Sequence, residues 1–244
     1  MANSLSIQLL ISQLNLPDLT IDQAMDMALI PQEFNEKRLS AMITHLSGDD
    51  TLAGRLTAQE RYYILLSHQI AMSSQYSSEV DNENYLVNTI QKDVPDVATV
   101  GDAYVNHLLG AHVTVLEGIC ENVYDWLRGQ MACQLSGDLS FFIGGDDEAY
   151  KWEALDAGMT DEALNEAIQT RVALIGQLTT DRFNDLEAAF TSGVNQLEHF
   201  VVLGTDNNGL TLIKQGGEGA DEPARFPALD ALQGAARIIA QCLA

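Results

Sequence analysis

The sequence is poor in residues that mark several large classes of protein. Only three of its 244 residues are cysteines, Cys120, Cys133 and Cys242, and no two of them form a C-x-x-C pair. An odd number without that spacing argues against a disulfide framework. No apolar run approaches the length of a membrane span, and residues 1–16 lack the basic start of a signal peptide. We therefore expect a soluble protein made in a reducing cytoplasm.

Basic residues are also scarce. The chain has 12 Lys and Arg against 35 Asp and Glu, a formal net charge of −23 and a pI near 4.2. Such a surface repels nucleic acid and anionic membranes, so we expect neither as a direct partner. It suits a basic protein surface instead. The acids are scattered along the chain, yet an acidic regulator that mimics nucleic acid remains an alternative hypothesis.

Local catalytic signatures are absent. The sequence has no GxSxG, no P-loop and no dinucleotide fingerprint. A Ser-His-Asp site that uses Glu198-His199 stays open, because triads assemble in space rather than along the chain. We predict that the protein is not an enzyme and that it has no cofactor and no small-molecule substrate. A metal-assisted hydrolase is the alternative.

That alternative rests on two histidines and two cysteines. His107 and His112 are five positions apart, whereas helical zinc sites use pairs four apart. Five positions separate the two rings by about 140° on a continuous helix, so only a break at Gly110 would bring them together. Cys120 and Cys133 would complete a His/Cys cluster. We predict instead that the cysteines pack as small apolar residues and that no metal site forms.

Two acidic turns are candidate cation sites. Asp146, Asp147 and Glu148 follow a pair of glycines and could hold Ca²⁺ together with Glu153, and Asp206–Gly209 reads DNNG. Neither matches the twelve-residue calcium loop, which needs acids at alternate positions and a closing glutamate. Both are predicted to be exposed turns.

Apolar residues that recur every three or four positions predict a largely helical chain. The clearest helix is amphipathic and starts at Thr57, which forms a T-x-x-E capping box with Glu60. Its pattern places Tyr62 in the core and pairs Arg61 with Glu60 or Asp49. Further N-caps are predicted at Thr20, Thr160 and Thr180. The predicted helices span residues 21–30, 32–46, 58–74, 84–92, 102–135 with a break or kink at Gly110, 161–177, 181–199 and 227–243.

The β signals are fewer. Residues 5–11 read as a short strand, and residues 141–148 read as a strand or turn in which Phe141 and Phe142 point to opposite faces. Residues 199–215 read as a hairpin around DNNG. The predicted fold is therefore mainly α: one multi-helix domain over residues 1–244 with a C-terminal β-hairpin, minor β elements and a sub-boundary near 136–160.

Several of these segments together resemble the tail and baseplate structural proteins of long-tailed bacteriophages, in part the hub assembly group. The resemblance covers about two thirds of the chain. The segments that carry it are PQEFNEKRLSAMITHLSGD (31–49), LTAQERYYILLSHQIAMS (56–73), GAHVTVLEGICENVYDWLRGQMACQL (110–135), the hairpin 199–215 and ARFPAL (224–229).

The resemblance implies a virion structural protein, made in the host cytoplasm and built into the particle by protein–protein docking during assembly. Its partners would be other tail proteins and copies of itself. The resemblance carries over no catalytic, cofactor-binding or metal-binding residue. Trp126 and Trp152 are aromatic side chains that would suit either a core or an interface, and the helical pattern places Trp126 in the core.

Overall fold

The computed structural model describes residues 5–10, 13–73, 82–87, 94–144, 148–215 and 222–232. The predicted mainly α class with a C-terminal hairpin and minor β elements is confirmed. The described helices are α1 (Ile21–Leu29), α2 (Asn35–Ser47), α3 (Leu52–Arg55), α4 (Ala58–Ser73), α5 (Gly110–Ile119), α6 (Val123–Gln134), α7 (Ser140–Ile143), α8 (Asp161–Ile175) and α9 (Thr180–Gln196). The described strands are β1 (Leu5–Gln8), β2 (Gln13–Leu16), β3 (Val97–Val100), β4 (Ala103–Asn106), β5 (Leu135–Asp138), β6 (Lys151–Trp152), β7 (Val202–Asp206), β8 (Gly209–Ile213) and β9 (Pro223–Ala224).

The chain divides into two compact units. Unit 1 contains residues 1–90, 200–204 and 210–244, and unit 2 contains residues 91–199 and 205–209. Residues 136–160, where the sequence suggested a sub-boundary, lie inside unit 2. That the chain folds as a single domain stays a prediction.

Helix α4 is the central element of unit 1. From Leu56 to Gln69 every side chain is buried except that of Tyr63, which is half-buried. The sequence predicted an amphipathic helix with one apolar side, but from Ala58 to Gln69 α4 is enclosed on nearly every side. Its polar residues therefore need partners inside the protein.

The predicted capping box at the start of α4 is confirmed. The Glu60 backbone N–H donates to Thr57 Oγ1 at 3.1 Å, and the Thr57 N–H donates to Glu60 Oε2 at 3.0 Å. The other carboxylate oxygen of Glu60 accepts from the Leu10 N–H at 2.8 Å. One glutamate therefore caps the helix and also holds the segment that follows β1.

Arg61 is the best-connected polar side chain of α4. Its Nη2 lies 3.0 Å from Glu36 Oε2, in an ion pair whose side chains are 0% and 4% exposed. The same guanidinium donates to the carbonyl oxygens of Glu36 at 2.7 Å and Ala53 at 3.0 Å, and to Ser40 Oγ at 3.0 Å. Tyr62 Oη donates to Glu36 Oε1 at 2.5 Å. This cluster joins α2, α3 and α4.

The predicted burial of Tyr62 is confirmed, since it is 1% exposed, but the predicted partners of Arg61 are wrong. Glu60 is occupied by the capping box. Asp49 accepts from the backbone and the hydroxyl of Thr51 at 2.8 and 2.7 Å. The actual partner lies 25 positions back along the chain.

Several helix ends agree with the sequence. Thr20 caps α1 in a capping box with Gln23, and the Thr160 side chain accepts from the Ala163 N–H at the start of α8. The N-cap predicted at Thr180 is wrong by one residue, because Thr179 precedes α9.

The predicted helix 102–135 is wrong in its first part. Residues Ala103–Asn106 form β4, which pairs antiparallel with β3 across the turn Gly101-Asp102. Gly101 has φ +67°, as the first central position of a type II′ hairpin turn requires. The remainder is two helices, α5 and α6, and Asn122 caps the second of them.

Other predicted elements changed or fall outside the described residues. The hairpin predicted over 199–215 is confirmed as β7 and β8. Residues 141–148 were predicted as a strand or turn, but they begin in the short helix α7. Only Asn82–Tyr85 of the 84–92 region and Ala228–Ala231 of the final helix are described, each as a 3-10 helix. Of the other residues in these two regions, Leu86, Val87, Pro227 and Leu232 are described and the remainder are not.

Unit 2 is built on the four-stranded antiparallel sheet β3-β4-β5-β6. Helix α9 packs on the face that carries Val105, so closely that a Cβ at Gly193 would lie 2.4 Å from Val105 Cγ2. Helix α8 packs against α6. Arg171 of α8 donates to the carbonyl oxygens of Ala132 at 3.0 Å and Glu153 at 2.5 Å.

Replacing Arg61 tests the cluster in unit 1. Arg61→Ala leaves the Glu36 carboxylate buried without its cation, and we expect the free energy of unfolding to fall by about 3–5 kcal/mol. Lys37→Ala, on the exposed side of α2, is the matched control. It removes a cation–π contact with the Phe34 ring at 4.3 Å and should lower the free energy of unfolding by no more than about 1 kcal/mol. Urea unfolding measures both. Equal midpoints for the two variants would show that the cluster does not stabilise the fold.

Two glycines test the packing of α9 on the sheet. Gly193→Ala forces the added methyl into Val105 and should cost about 1–3 kcal/mol. Gly118→Ala in α5, where a Cβ meets nothing within 4 Å, should be neutral or stabilise by up to about 1 kcal/mol. Thermal unfolding of both variants checks the pair. A stable Gly193→Ala protein would contradict the close approach.

Candidate docking surface

The candidate metal ligands do not form a site. No group of three or more His, Cys, Asp or Glu side chains within the described residues is placed to hold a metal ion. His112 Nδ1 accepts from the Leu109 N–H at 3.2 Å, while the ring of His107 meets that of His199 edge-on at 5.2 Å. Because α5 begins at Gly110, His107 and His112 do not lie on the same helix. The two imidazole rings still have different neighbours.

The thiols of unit 2 are held in their protonated form. Cys133 is fully buried and Cys120 is partly buried. Burial, together with the nearby carboxylate of Asp125, raises the pKa of Cys120 to about 12. Burial also raises the pKa of Cys133 well above its usual range. Because thiolates, not thiols, attack substrates and bind metals, packing as small apolar groups is the role that fits Cys133. Cys242 lies outside the described residues.

In the pair Glu198-His199, the histidine is buried and the glutamate is half-buried. His199 is 1% exposed, and its Nδ1 lies 2.7 Å from the Leu197 carbonyl oxygen. Burial and the neighbouring His107 ring lower the pKa of His199 to about 4. Burial raises the pKa of Glu198. The carbonyl contact orients the imidazole, and the low pKa keeps it neutral at pH 7.

The DNNG turn is held by α6. Asn207 Oδ1 accepts from the Val123 N–H at 3.1 Å, and Thr205 Oγ1 accepts from Gln130 Nε2 at 2.8 Å. Gly209 has φ +118° and lies against the Trp126 ring, where a Cβ would come within 3.0 Å. Trp126 is buried, as predicted. The side-chain oxygen of Asn207 therefore accepts a hydrogen bond from the first residue of α6. Of the other acidic turn, Asp146 and Asp147 lie outside the described residues.

The four basic side chains of unit 2 that the structure describes have internal or local partners. The unit has twenty acidic and five basic residues in its sequence, a formal charge of −15. Arg171 is buried among backbone carbonyls, with its guanidinium 4.9 Å from the Trp152 ring. Arg128 pairs with Asp125, Lys151 pairs with Glu148, and Arg182 donates to the Ile143 carbonyl. The surface that remains is strongly acidic.

Two large aromatic side chains of unit 2 are mostly exposed to solvent. Phe141 is 83% exposed and Tyr124 is 73% exposed. Phe142 is half-buried, and its ring meets that of Phe141 edge-on at 5.2 Å. The prediction that Phe141 and Phe142 point to opposite faces of a strand is wrong, because both lie in the short helix α7 and their rings are in contact. Trp152 is buried, with its indole N–H on the Ala149 carbonyl.

The sequence interpretation missed one exposed surface, because it took β4 for helix. Val97 and Thr99 of β3 and Tyr104 of β4 lie on the sheet face opposite α9, and Thr99 is the direct cross-strand partner of Tyr104. Val97 is 37% exposed and Tyr104 is 43% exposed. Alternating residues on both sides of Gly101-Asp102 were the signal that would have found this hairpin.

Within the described ranges, no helix is both long enough and apolar enough to cross a bilayer.

Two buried histidines make the stability of unit 2 depend on pH. Burial lowers the pKa of His112, as of His199, to about 4, whereas an unfolded imidazole titrates near 6.5. The unfolded chain therefore binds more protons between about pH 6.5 and 4, and folding stability falls as the pH drops through that range. Each histidine contributes up to about 3 kcal/mol to the loss.

Urea unfolding at pH 7.0, 6.0 and 5.0 tests this dependence. His112→Gln and His199→Gln should each lose part of the pH dependence between 6.5 and 5, even though each variant is less stable at pH 7. If both variants keep the full wild-type slope, these histidines are not the titrating groups.

Comparison with known proteins found no matching family model, no matching curated protein and no matching solved structure.

Proposed function

We propose that this chain is a structural component of a bacteriophage tail or baseplate, that it acts by docking onto other virion proteins during assembly, and that it performs no chemistry. The proposal rests on one observation about unit 2. This unit has a formal charge of −15, and two of its aromatic side chains, Phe141 and Tyr124, are mostly exposed. The resemblance of residues 31–49, 56–73 and 110–135 to tail proteins supports the assignment to a virion.

The physical argument concerns what such a surface selects. Large aromatics provide most of the binding energy where they are buried in an interface. Surrounding acidic groups favour a basic partner, speed its approach and repel nucleic acid. The described basic side chains of unit 2 already have partners within the unit. They therefore do little to reduce the preference of its surface for a basic partner.

Incorporation into particles tests the proposal. Phage particles and tail intermediates, separated by sedimentation, should contain the chain in a fixed ratio to the other tail proteins. Phe141→Ser and Tyr124→Ser should each reduce incorporation about tenfold, the effect of losing one interface anchor of about 1.4 kcal/mol or more. Leu29→Ser in unit 1, where Leu29 is 68% exposed, is the matched control and should be incorporated normally.

Two results would overturn the proposal. One is a chain absent from every particle and intermediate. The other is a chain bound stoichiometrically to a DNA-binding protein and displaced by DNA, which would make it an acidic regulator.

A further inference from the structure

We propose that the edge strand β3 of unit 2 accepts an extended, positively charged segment of a partner protein as an additional strand of the sheet. The inference rests on the proposed function for the kind of partner, a structural protein of the same assembly. Strand addition itself depends only on the edge.

The backbone of β3 is suited to pairing. The sheet order is β3-β4-β5-β6, so among the described strands β3 is terminal and has a neighbour on one side. In a two-residue hairpin the residues that flank the turn, here Val100 and Ala103, exchange the first pair of hydrogen bonds. The alternation of an antiparallel ladder then directs the N–H and C=O groups of Thr99 and Val97 away from β4. Both of these residues are exposed.

Within the described part of the chain, β3 itself contains no lysine, proline or bulge that would block pairing at its free side. Natural edge strands are blunted by lysine, proline, a bulge or an inward-pointing charge. Residues 97–100 read Val-Ala-Thr-Val, and they pair with β4 in unbroken register. Val97 and Tyr104 add exposed apolar surface on the face that α9 leaves open. An added strand would cover that surface as well as pair with the edge.

The charges beside β3 indicate which kind of segment would pair with it. The exposed carboxylates Asp96 and Asp102 stand at the two ends of β3, and strands β3, β4 and β5 contain no lysine or arginine. A second copy paired antiparallel through β3 would bring Asp96 of one chain toward Asp102 of the other, and like charges opposed across strands destabilise the pair. The edge therefore favours a different protein. Its docking segment would have alternating β-branched residues flanked by lysine or arginine.

A peptide titration tests this on the intact chain. The probe is the capped peptide KVTVTVK, added to ¹⁵N-labelled protein at low salt. We expect amide shifts centred on residues 97–106 and slowed hydrogen exchange at the Val97 and Thr99 amides. The capped peptides EVTVTVE and KVTPTVK should bind at least tenfold more weakly, the first because of charge and the second because proline cannot pair.

Variants of Thr99 separate pairing from general attraction. Thr99→Pro removes an N–H that points away from β4 and should abolish KVTVTVK binding, whereas Thr99→Val should bind as the wild type does. Val97→Lys, which keeps the ladder intact and adds a repelling charge to the edge, is the second variant should Thr99→Pro unfold. Amide exchange at Ala103 and Val105 reports whether the hairpin is intact. Unchanged binding by Val97→Lys, or shifts spread evenly over the acidic surface, would overturn the proposal.

Incorporation assays distinguish this inference from the proposed function. If Thr99→Pro and Val97→Lys enter particles normally while Phe141→Ser does not, strand addition is wrong and tail docking stands. If KVTVTVK binds at β3 but the wild-type chain enters no particle, the edge binds strands and the proposed function is wrong.

Discussion

In each unit, a buried arginine connects several of the elements around it. A cation removed from water costs several kcal/mol unless it is paired or hydrogen-bonded, and Arg61 and Arg171 are stabilised in different ways. Arg61 has the carboxylate of Glu36 and the carbonyls of Glu36 and Ala53. Arg171 has the carbonyls of Ala132 and Glu153 and the face of Trp152. Each guanidinium donates hydrogen bonds to carbonyl oxygens of two different segments of the chain. A shift of one segment relative to the other would break these bonds and leave a buried charge without a partner.

The same arrangement shapes the surface. Arg38, Arg61 and Arg171 are all buried, and a chain with 12 basic residues loses part of its positive surface by directing them inward. The acidic residues lie mostly at the surface. Of the 35 in the sequence, Glu36 and Glu60 are the two that are buried among those the structure describes. The acidic exterior therefore follows mainly from the composition, and the burial of three arginines increases it slightly. Docking to a basic partner is the function that we propose for such an exterior.

Local signals were predictable from the sequence and distant pairings were not. The Thr57–Glu60 box, the Thr20 cap and the hairpin over 199–215 each depend on residues close in sequence, and each was found. The partner of Arg61 lies 25 positions away, and no periodicity identifies it. Strand β4 was taken for helix because its apolar residues run into those of α5, while its strand partners β3 and β5 lie outside any helical window. The open sheet face was missed for the same reason, and the tail resemblance stays a prediction.

The most direct test of the account is the native mass of the chain, taken from the cells that produce it and measured across ionic strength with metal content read on the same sample. The account predicts a complex with a basic protein at low salt that separates into its components as salt screens the charges, with no metal in proportion to the chain. A single chain of 26.6 kDa at every salt concentration, carrying one metal ion each, would contradict it.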